Sequence, residues 1–288
     1  MFRDQLVKVL FGGAAAFSVA VTLLIFGFMI VLGAPLIKDG AFLALFTDSW
    51  LPGQGQVGIA PMIVGTLVIA GLALAFSFPV SLGCAALISG LGRGPLPALL
   101  NRLVRFMTGI PTVVYGFAGI FLLVPIIREW ASRGSGLCVL SAALLLSVLI
   151  APTMILFFVD AFAAVPRSYL VAAKALGATA VQRFVHIMIP GAWRGLTSGV
   201  VLASGRAVGD TLIALMIAGN AAVLPESLMD PARTLTAHIA LVVAADFDSL
   251  EFRTLFACGI VLYLCTTAMV ILTRRIGSAS EKRQWPAP

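Results

Sequence analysis

Five stretches of this sequence, Val9–Ile37, Ser49–Gly92, Phe106–Ile127, Gly134–Val159 and Thr254–Thr273, each run for 20 residues or more without one charged side chain. A helix needs about 20 apolar residues to cross the roughly 30 Å hydrocarbon core of a bilayer. The second stretch is the longest, with its most apolar part at Ile59–Gly90, and a sixth, Gly195–Pro225, is interrupted only by Arg206 and Asp210. A soluble chain would carry about 25% charged residues to cover its surface. This one carries 11%, at a mean hydropathy of +1.08. An ordinary cytosolic enzyme, a disordered chain and a disulfide-stapled scaffold are excluded. The sequence predicts an all-α, polytopic membrane protein with six transmembrane helices, forming a single domain over residues 1–288. The first run exceeds the roughly 7–15-residue core of a signal peptide, and no convincing small-residue cleavage site follows it. It is expected to remain as helix one.

Six crossings put both termini on one side. That side holds the N-terminus, residues 91–105, residues 160–194 and the C-terminal tail, with 13 of the 19 Lys/Arg; the opposite loops hold 5, and Arg206 is the remaining one. An excess of Lys/Arg marks cytoplasmic loops, so both termini are expected in the cytoplasm. The net charge of +7 and pI near 9.8 then reflect topology, and no nucleic-acid partner is expected.

Other chemistries find little support. Cys84, Cys138, Cys258 and Cys265 lie scattered in apolar stretches and read as small buried hydrophobes. His186 and His238 stand apart, without a second ligand at metal spacing. Gly90-Leu-Gly92-Arg-Gly94-Pro95 follows no strand and reads as a cytoplasmic turn, and Gly205–Thr211 lacks the lysine of a phosphate-cradling loop. No metal or cofactor site, no ATP site and no catalytic constellation is expected in this chain.

The longest cytoplasmic piece, residues 160–191, contains a predicted short helix. Pro166 suits its first turn, where a missing N–H costs nothing. Gly177 suits its stop, because glycine tolerates the left-handed conformation that ends a helix. Tyr169, Leu170, Ala173 and Leu176 fall near helical spacing and give it one apolar face. Such a helix either lies on the lipid surface or docks into another protein.

Inside the sixth run, Arg206 and Asp210 are four residues apart, so on a continuous helix they share a face and can pair. Two readings stay open: an ion pair locking the bundle together, or an arginine that presents its fork of donors to a passing oxyanion, tuned by the aspartate. Asn220, about four turns further on, either lines the outer mouth of a pathway or caps the helix. Gly195, Gly199, Gly205 and Gly209 are spaced for close helix packing. Pro111 should kink the third span, leaving Thr112 and Tyr115 either as neutral groups facing a cavity or as parts of the scaffold.

Three segments carry a family resemblance. In the cytoplasmic loop, Ala172-Ala173, Gly177 and Ile187-x-Ile189-Pro190 resemble the EAA motif of ABC-importer permeases, with Val171 where that family has glutamate and Lys174 or Arg167 as candidate replacements for its polar contact. Gly109-Ile-Pro111-Thr112-Val-Val-Tyr115-Gly116 and Gly205-Arg206-Ala-Val-Gly209-Asp210-Thr211, followed by Gly219-Asn220, resemble the phosphate-specific (Pst) permeases, nearer the C-type than the A-type subunit. Asp210 stands where that family usually has glutamate. The resemblance runs from about residue 59 to residue 273.

This resemblance implies a type I importer fold in a bacterial inner membrane and transport of inorganic phosphate by alternating access. It implies a substrate pathway at Arg206, Asp210, Asn220, Thr112 and Tyr115, and an ATPase-coupling surface at Ala172, Ala173, Lys174, Gly177 and Pro190. The implied partners are a second permease, two ATPase subunits that bind ATP and Mg, an extracytoplasmic phosphate-binding protein and membrane lipid. Rival readings are a different oxyanion (phosphonate, phosphite or sulfate), a proton-coupled secondary transporter relaying through Asp210, and an intramembrane enzyme.

Overall fold

The computed structural model describes residues 2–38, 45–131, 134–246 and 249–284; Arg133, counted above among the outer-loop cations, lies outside them. Helices make up most of it. α1 spans Phe2–Lys38, α2 Ala60–Ala86 with a π-helical continuation at Leu87–Leu91, α3 Leu96–Thr108, and α4 Thr112–Ala131. α5 spans Val139–Ala163, α6 Arg167–Ala175, α7 Ala180–Arg183, α8 Trp193–Gly209, α9 Leu212–Ile217, α10 Leu235–Val242 and α11 Leu250–Gln284. A two-residue hairpin, β1 Trp50–Leu51 against β2 Gln56–Val57, sits between α1 and α2.

Among the described residues, five helices are long and apolar enough to cross a membrane: Val7–Gly33, Ala60–Leu91, Thr112–Ala131, Val139–Ala163 and Leu250–Arg275. The expected sixth is not one continuous helix. α8 stops at Gly209, Asp210 takes an extended conformation (φ −71°, ψ 126°), and α9 restarts at Leu212. The Asp210 carboxylate accepts the Ile213 N–H at 2.9 Å, so the residue that breaks the helix also caps the next. The run ends near Ala218 rather than Pro225, because Gly219 (φ 86°) and Asn220 (φ 54°) turn the chain in the left-handed region.

Span three also departs from expectation. Pro111 does more than kink it: Pro111 is extended (φ −60°, ψ 143°), and Phe106 belongs to a separate helix, α3. A proline pushes its predecessor out of the helical region, so the chain restarts at Thr112.

At the centre lies α5, which packs against α2 and α8 and buries Ile150, Met154 and Phe158 completely. Small residues set the close approach. A side chain at Gly195 would fall 2.3 Å from the Ala161 Cβ, and one at Gly199 3.0 Å from Phe157 and Phe158, so these two glycines do let α8 press on α5. α1 is peripheral and packs on α11, with Gly33 against Phe256 and Ile260 and the Phe26 and Tyr263 rings 4.9 Å apart.

Residues 218–238 fold back onto the end of the bundle where α5 begins. Val139 and Leu140 donate their N–H groups to the carbonyls of Asp230 and Leu228, and Ala232 donates to Ala218. Gly65 lets the Arg233 carbonyl approach α2 to 2.4 Å of where a Cβ would stand. One buried hydroxyl ties this segment down: Thr66 Oγ1 accepts the Leu235 N–H at 2.9 Å and donates to the Met62 carbonyl at 2.8 Å. Thr66→Val keeps the shape but leaves the Leu235 N–H buried and unpaired, a loss of about 1–3 kcal/mol. Thermal unfolding in detergent should show a lowered midpoint for Thr66→Val and recovery in Thr66→Ser; equal midpoints would remove Thr66 from this role.

Candidate functional site

Two helix breaks lie at one level of the bundle. A Cβ at Gly116 would touch the Met216 sulfur, and one at Gly119 would touch Ile217 and Leu145, so α4 and α9 run side by side in the same direction. Thr112 and Leu212, each four residues earlier, therefore begin their helices together. Irregular backbone at membrane depth is tolerated where protein buries it or where it lines a water-filled cavity.

Beside these breaks stands Arg206. Its Nη1 donates to Thr153 Oγ1 on α5 at 3.2 Å. Thr153 lies about 21 Å from the start of α5 and about 15 Å from its end at about 1.5 Å per residue, which sets the guanidinium near mid-depth. Arg206 is nevertheless exposed, as are Leu202, Gly205, Gly209 and Leu212 along the same face. Among the described residues nothing lies within 4 Å of a Cβ built on Gly205 or Gly209, so there those glycines pack against no neighbour, contrary to the packing role expected from their spacing.

The expected Arg206–Asp210 pair is not formed: among the described residues no ion pair joins them. The reason is the break itself. Asp210 has left the helix, so four-residue spacing no longer places both side chains on one face. Its carbonyl accepts from Thr236 Oγ1 at 2.8 Å, which links the break to the 218–238 segment.

The remaining pathway candidates are distributed unequally. Thr112 is half-buried at the first position of α4. Tyr115 is buried, and its hydroxyl donates to the Met107 carbonyl at 3.0 Å, bracing α3 against α4 across Pro111. Asn220 Nδ2 donates to the Leu215 carbonyl, so its side chain closes the end of α9, while its own carbonyl accepts from Arg233 Nε at 2.9 Å. Arg233 Nη1 also reaches His238 Nδ1 at 3.5 Å. Burial, reinforced by that guanidinium, pushes His238 down to about 4, so the ring is neutral at pH 7.

Thr153 was the residue that sequence reasoning missed. A threonine directly after Pro152 in an otherwise apolar run was the visible signal, but only the packing of α8 on α5 reveals what it faces.

On the loop 160–191 the predicted helix forms as α6, with Pro166 as N-cap and Gly177 (φ 85°) at its end. The Ala178 N–H donates to the Ala173 carbonyl and the Leu176 N–H to the Ala172 carbonyl, closing the terminus. No residue of α6 is buried. Leu176, just past it, is 88% exposed. Thr179 and Gln182 form a reciprocal cap that starts α7, and the chain continues through a π turn to Ile189–Gly191, which contains Pro190. A polar groove of about 470 Å³ runs between the helices, lined by Leu176, Gly177, Ala178, Gln182, Arg183, His186 and Ile187. Ala172, Lys174 and Gly177 are exposed on this loop and Ala173 is half-buried, while Pro190 is half-buried in the helical turn Ile189–Gly191.

Comparison with known proteins places this geometry. Residues 82–283 match the family described as binding-protein-dependent transport system inner membrane component. The chain is 34% identical to the probable ABC transporter permease protein YqgH of Bacillus subtilis, over 80% of this chain and 75% of that protein. It is 30% identical to the phosphate transport system permease protein PstC of Haemophilus influenzae, over 80% and 79% of the two chains. Among solved structures, a bacterial alginate ABC transporter in complex with a periplasmic protein bound to alginate pentasaccharide superposes with a TM-score of 0.68 at 16% identity, over 98% of both chains. The MetNI methionine ABC transporter in an inward-facing conformation gives 0.59 at 18%, over 75% of this chain and 93% of that one. An all-α, multi-pass fold is therefore shared with these ABC transporters, and the chain belongs to the family of binding-protein-dependent transport system inner membrane components.

Proposed function

We propose that this chain is a permease subunit of an ATP-driven importer of inorganic phosphate in the bacterial inner membrane, with both termini in the cytoplasm. The observation that carries this reading is Arg206, an exposed guanidinium at mid-depth on a face of exposed glycines. A cation left in hydrocarbon costs about 2.5–3.5 kcal/mol on insertion scales, so such a face meets water or protein rather than lipid. A second permease set against it would enclose an aqueous path with the arginine on its wall. The guanidinium offers a rigid fork of donors that matches the oxygens of a tetrahedral anion. Only part of that fork is committed to Thr153, and Asp210, held at the break, keeps a negative charge close enough to weaken trapping of the anion.

The relatives named for phosphate transport support the substrate, and the exposed α6–Leu176 knob supports docking of an ATPase subunit, one on each permease. ATP and Mg would bind those subunits, and a phosphate-binding protein would deliver the anion to the outer segment. ATP binding would draw the knobs together and rock the bundles outward; hydrolysis would return them.

The test is uptake of labelled phosphate in cells lacking this chain, with and without its return on a plasmid. Loss and rescue are expected, with little competition from sulfate. Unchanged phosphate uptake would discard the substrate, and the same assay with phosphonate, phosphite and sulfate would then name the anion. Uptake that survives ATP depletion while the proton gradient is held would discard the ATP-driven reading.

A further inference from the structure

α2 with its π-helical continuation runs for 32 residues, Ala60–Leu91. At about 1.5 Å per residue that is about 48 Å, longer than the roughly 30 Å of hydrocarbon in a bilayer. Its Leu91 end packs against α7 of the loop 160–191, so that end stands at the bilayer boundary. α3 begins there, directly after the turn at 92–95, and leads to the break at Pro111.

The circumference of α3 divides into three sectors. One faces protein: Val104 is buried, Pro97, Leu100 and Met107 are half-buried, and the helix packs on α5 and on Leu87–Leu91. The second is apolar and uncovered. Leu96, Leu99, Leu103 and Phe106 are all exposed, Phe106 to 72%, and their alternating spacing of three and four residues lines them along one side. The third carries Arg102 and Arg105, both exposed. Arg102 is three residues from Leu99 and four from Phe106, so it borders the apolar side directly. Arg105 donates its Nε to Asn101 Oδ1 at 3.3 Å, a neutral partner. Between Asp48 and Glu129 the chain contains four arginines and no acidic side chain.

An occupant of this surface must offer hydrocarbon and negative charge side by side. A helix with one apolar and one basic side lies in the bilayer boundary, its apolar side among acyl chains and its cations at anionic headgroups. We propose that α3 binds anionic phospholipid, with the lipid phosphate at Arg102 and Arg105 and the acyl chains along Leu99, Leu103 and Phe106. The seat bears on the break as well. Tyr115 Oη donates to the Met107 carbonyl at 3.0 Å, which ties α3 to the start of α4 across Pro111. Anionic lipid would thus hold the break in place and transport would depend on it, a consequence that rests on the importer reading above.

The test uses the assembled importer in phosphatidylcholine vesicles. A trace of phosphatidylglycerol or of phosphatidylcholine carries a photoactivatable diazirine in its acyl chain, and labelling of residues 96–106 is read by mass spectrometry. At equal mole fraction, about fivefold or more labelling is expected from phosphatidylglycerol. Arg102→Gln with Arg105→Gln, exposed changes that leave the protein-facing side of α3 intact, should equalise the two lipids. Excess inorganic phosphate should leave the labelling unchanged; displacement by it would mean a free-anion site and overturn the lipid. Equal labelling by both lipids in the unaltered protein would mean bulk lipid only and overturn the seat. Absence of labelling by either would mean that protein covers α3, and would overturn it too. If the double variant fails to assemble, the comparison of the two lipids decides alone. Labelling needs no ATP, so it stands or falls apart from the importer reading. ATP hydrolysis in the same vesicles should rise as phosphatidylglycerol replaces phosphatidylcholine, and the double variant should lose that rise. A rate indifferent to phosphatidylglycerol would overturn the link to the break.

Discussion

Arg206→Ala is expected to cut phosphate uptake by at least about tenfold while leaving the amount of assembled importer unchanged, because hydrogen bonds to charged groups contribute about 1.5–3 kcal/mol each. The geometry separates the two readings of this residue. A structural lock would have to pair with Asp210, and it does not; among the described residues its one hydrogen bond goes to a neutral threonine at 3.2 Å. Removing an exposed side chain with a single neutral partner leaves no buried group unpaired. Assembly should therefore survive and transport should not. Arg206→Lys keeps the charge but loses the fork, so only partial recovery is expected. The measurement is uptake of labelled phosphate in membrane vesicles, normalised to permease recovered with its partners. Normal uptake in Arg206→Ala would remove the residue from the pathway, and loss of assembly would return it to the scaffold.

Leu176→Asp should sever this chain from its proposed ATPase. Leu176 is the large apolar side chain standing furthest into solvent among the described residues, at 88% exposed, and it sits where α6 ends and the polar groove begins. Full burial of a leucine in a partner contributes about 1.5–3 kcal/mol, and a carboxylate placed in the same cleft adds a desolvation cost. Co-purification of the ATPase should fall by about tenfold or more, and ATP hydrolysis should no longer respond to the anion. Leu176→Met, which preserves apolar volume, should behave as the unaltered protein. Because no residue of α6 is buried, the fold should tolerate the aspartate. Undiminished co-purification would place the docking surface elsewhere on the loop.

Most of the architecture was legible in hydropathy alone. Uncharged runs of about 20 residues have few alternatives to crossing a bilayer, since backbone polar groups in hydrocarbon must be satisfied within the segment. The short loop helix was legible for a different reason. Pro166 and Gly177 act through local backbone preference, which needs no distant partner, and α6 forms between them. Gly195 and Gly199 were read correctly as packing residues, whereas the identical spacing at Gly205 and Gly209 meets nothing in this chain. Spacing states that two residues share a helix face but not what that face meets.

The breaks were the least legible feature. Gly195–Pro225 has the composition of a span, and periodicity gave no reason to stop at Asp210. That break depends on contacts from far along the chain: Thr236 holds the Asp210 carbonyl, and Thr66 holds the segment that carries Thr236. Sequence by itself determined that this chain lives in a membrane, how many apolar runs it offers to it, and where its local helix signals lie, because these follow from transfer free energy and backbone preference summed over neighbouring residues. Tertiary structure alone decided that two spans break at one level, that Arg206 faces outward beside Thr153, and that Asp210 caps a helix instead of pairing with it. Those outcomes depend on which distant carbonyls and hydroxyls packing brings within hydrogen-bond reach.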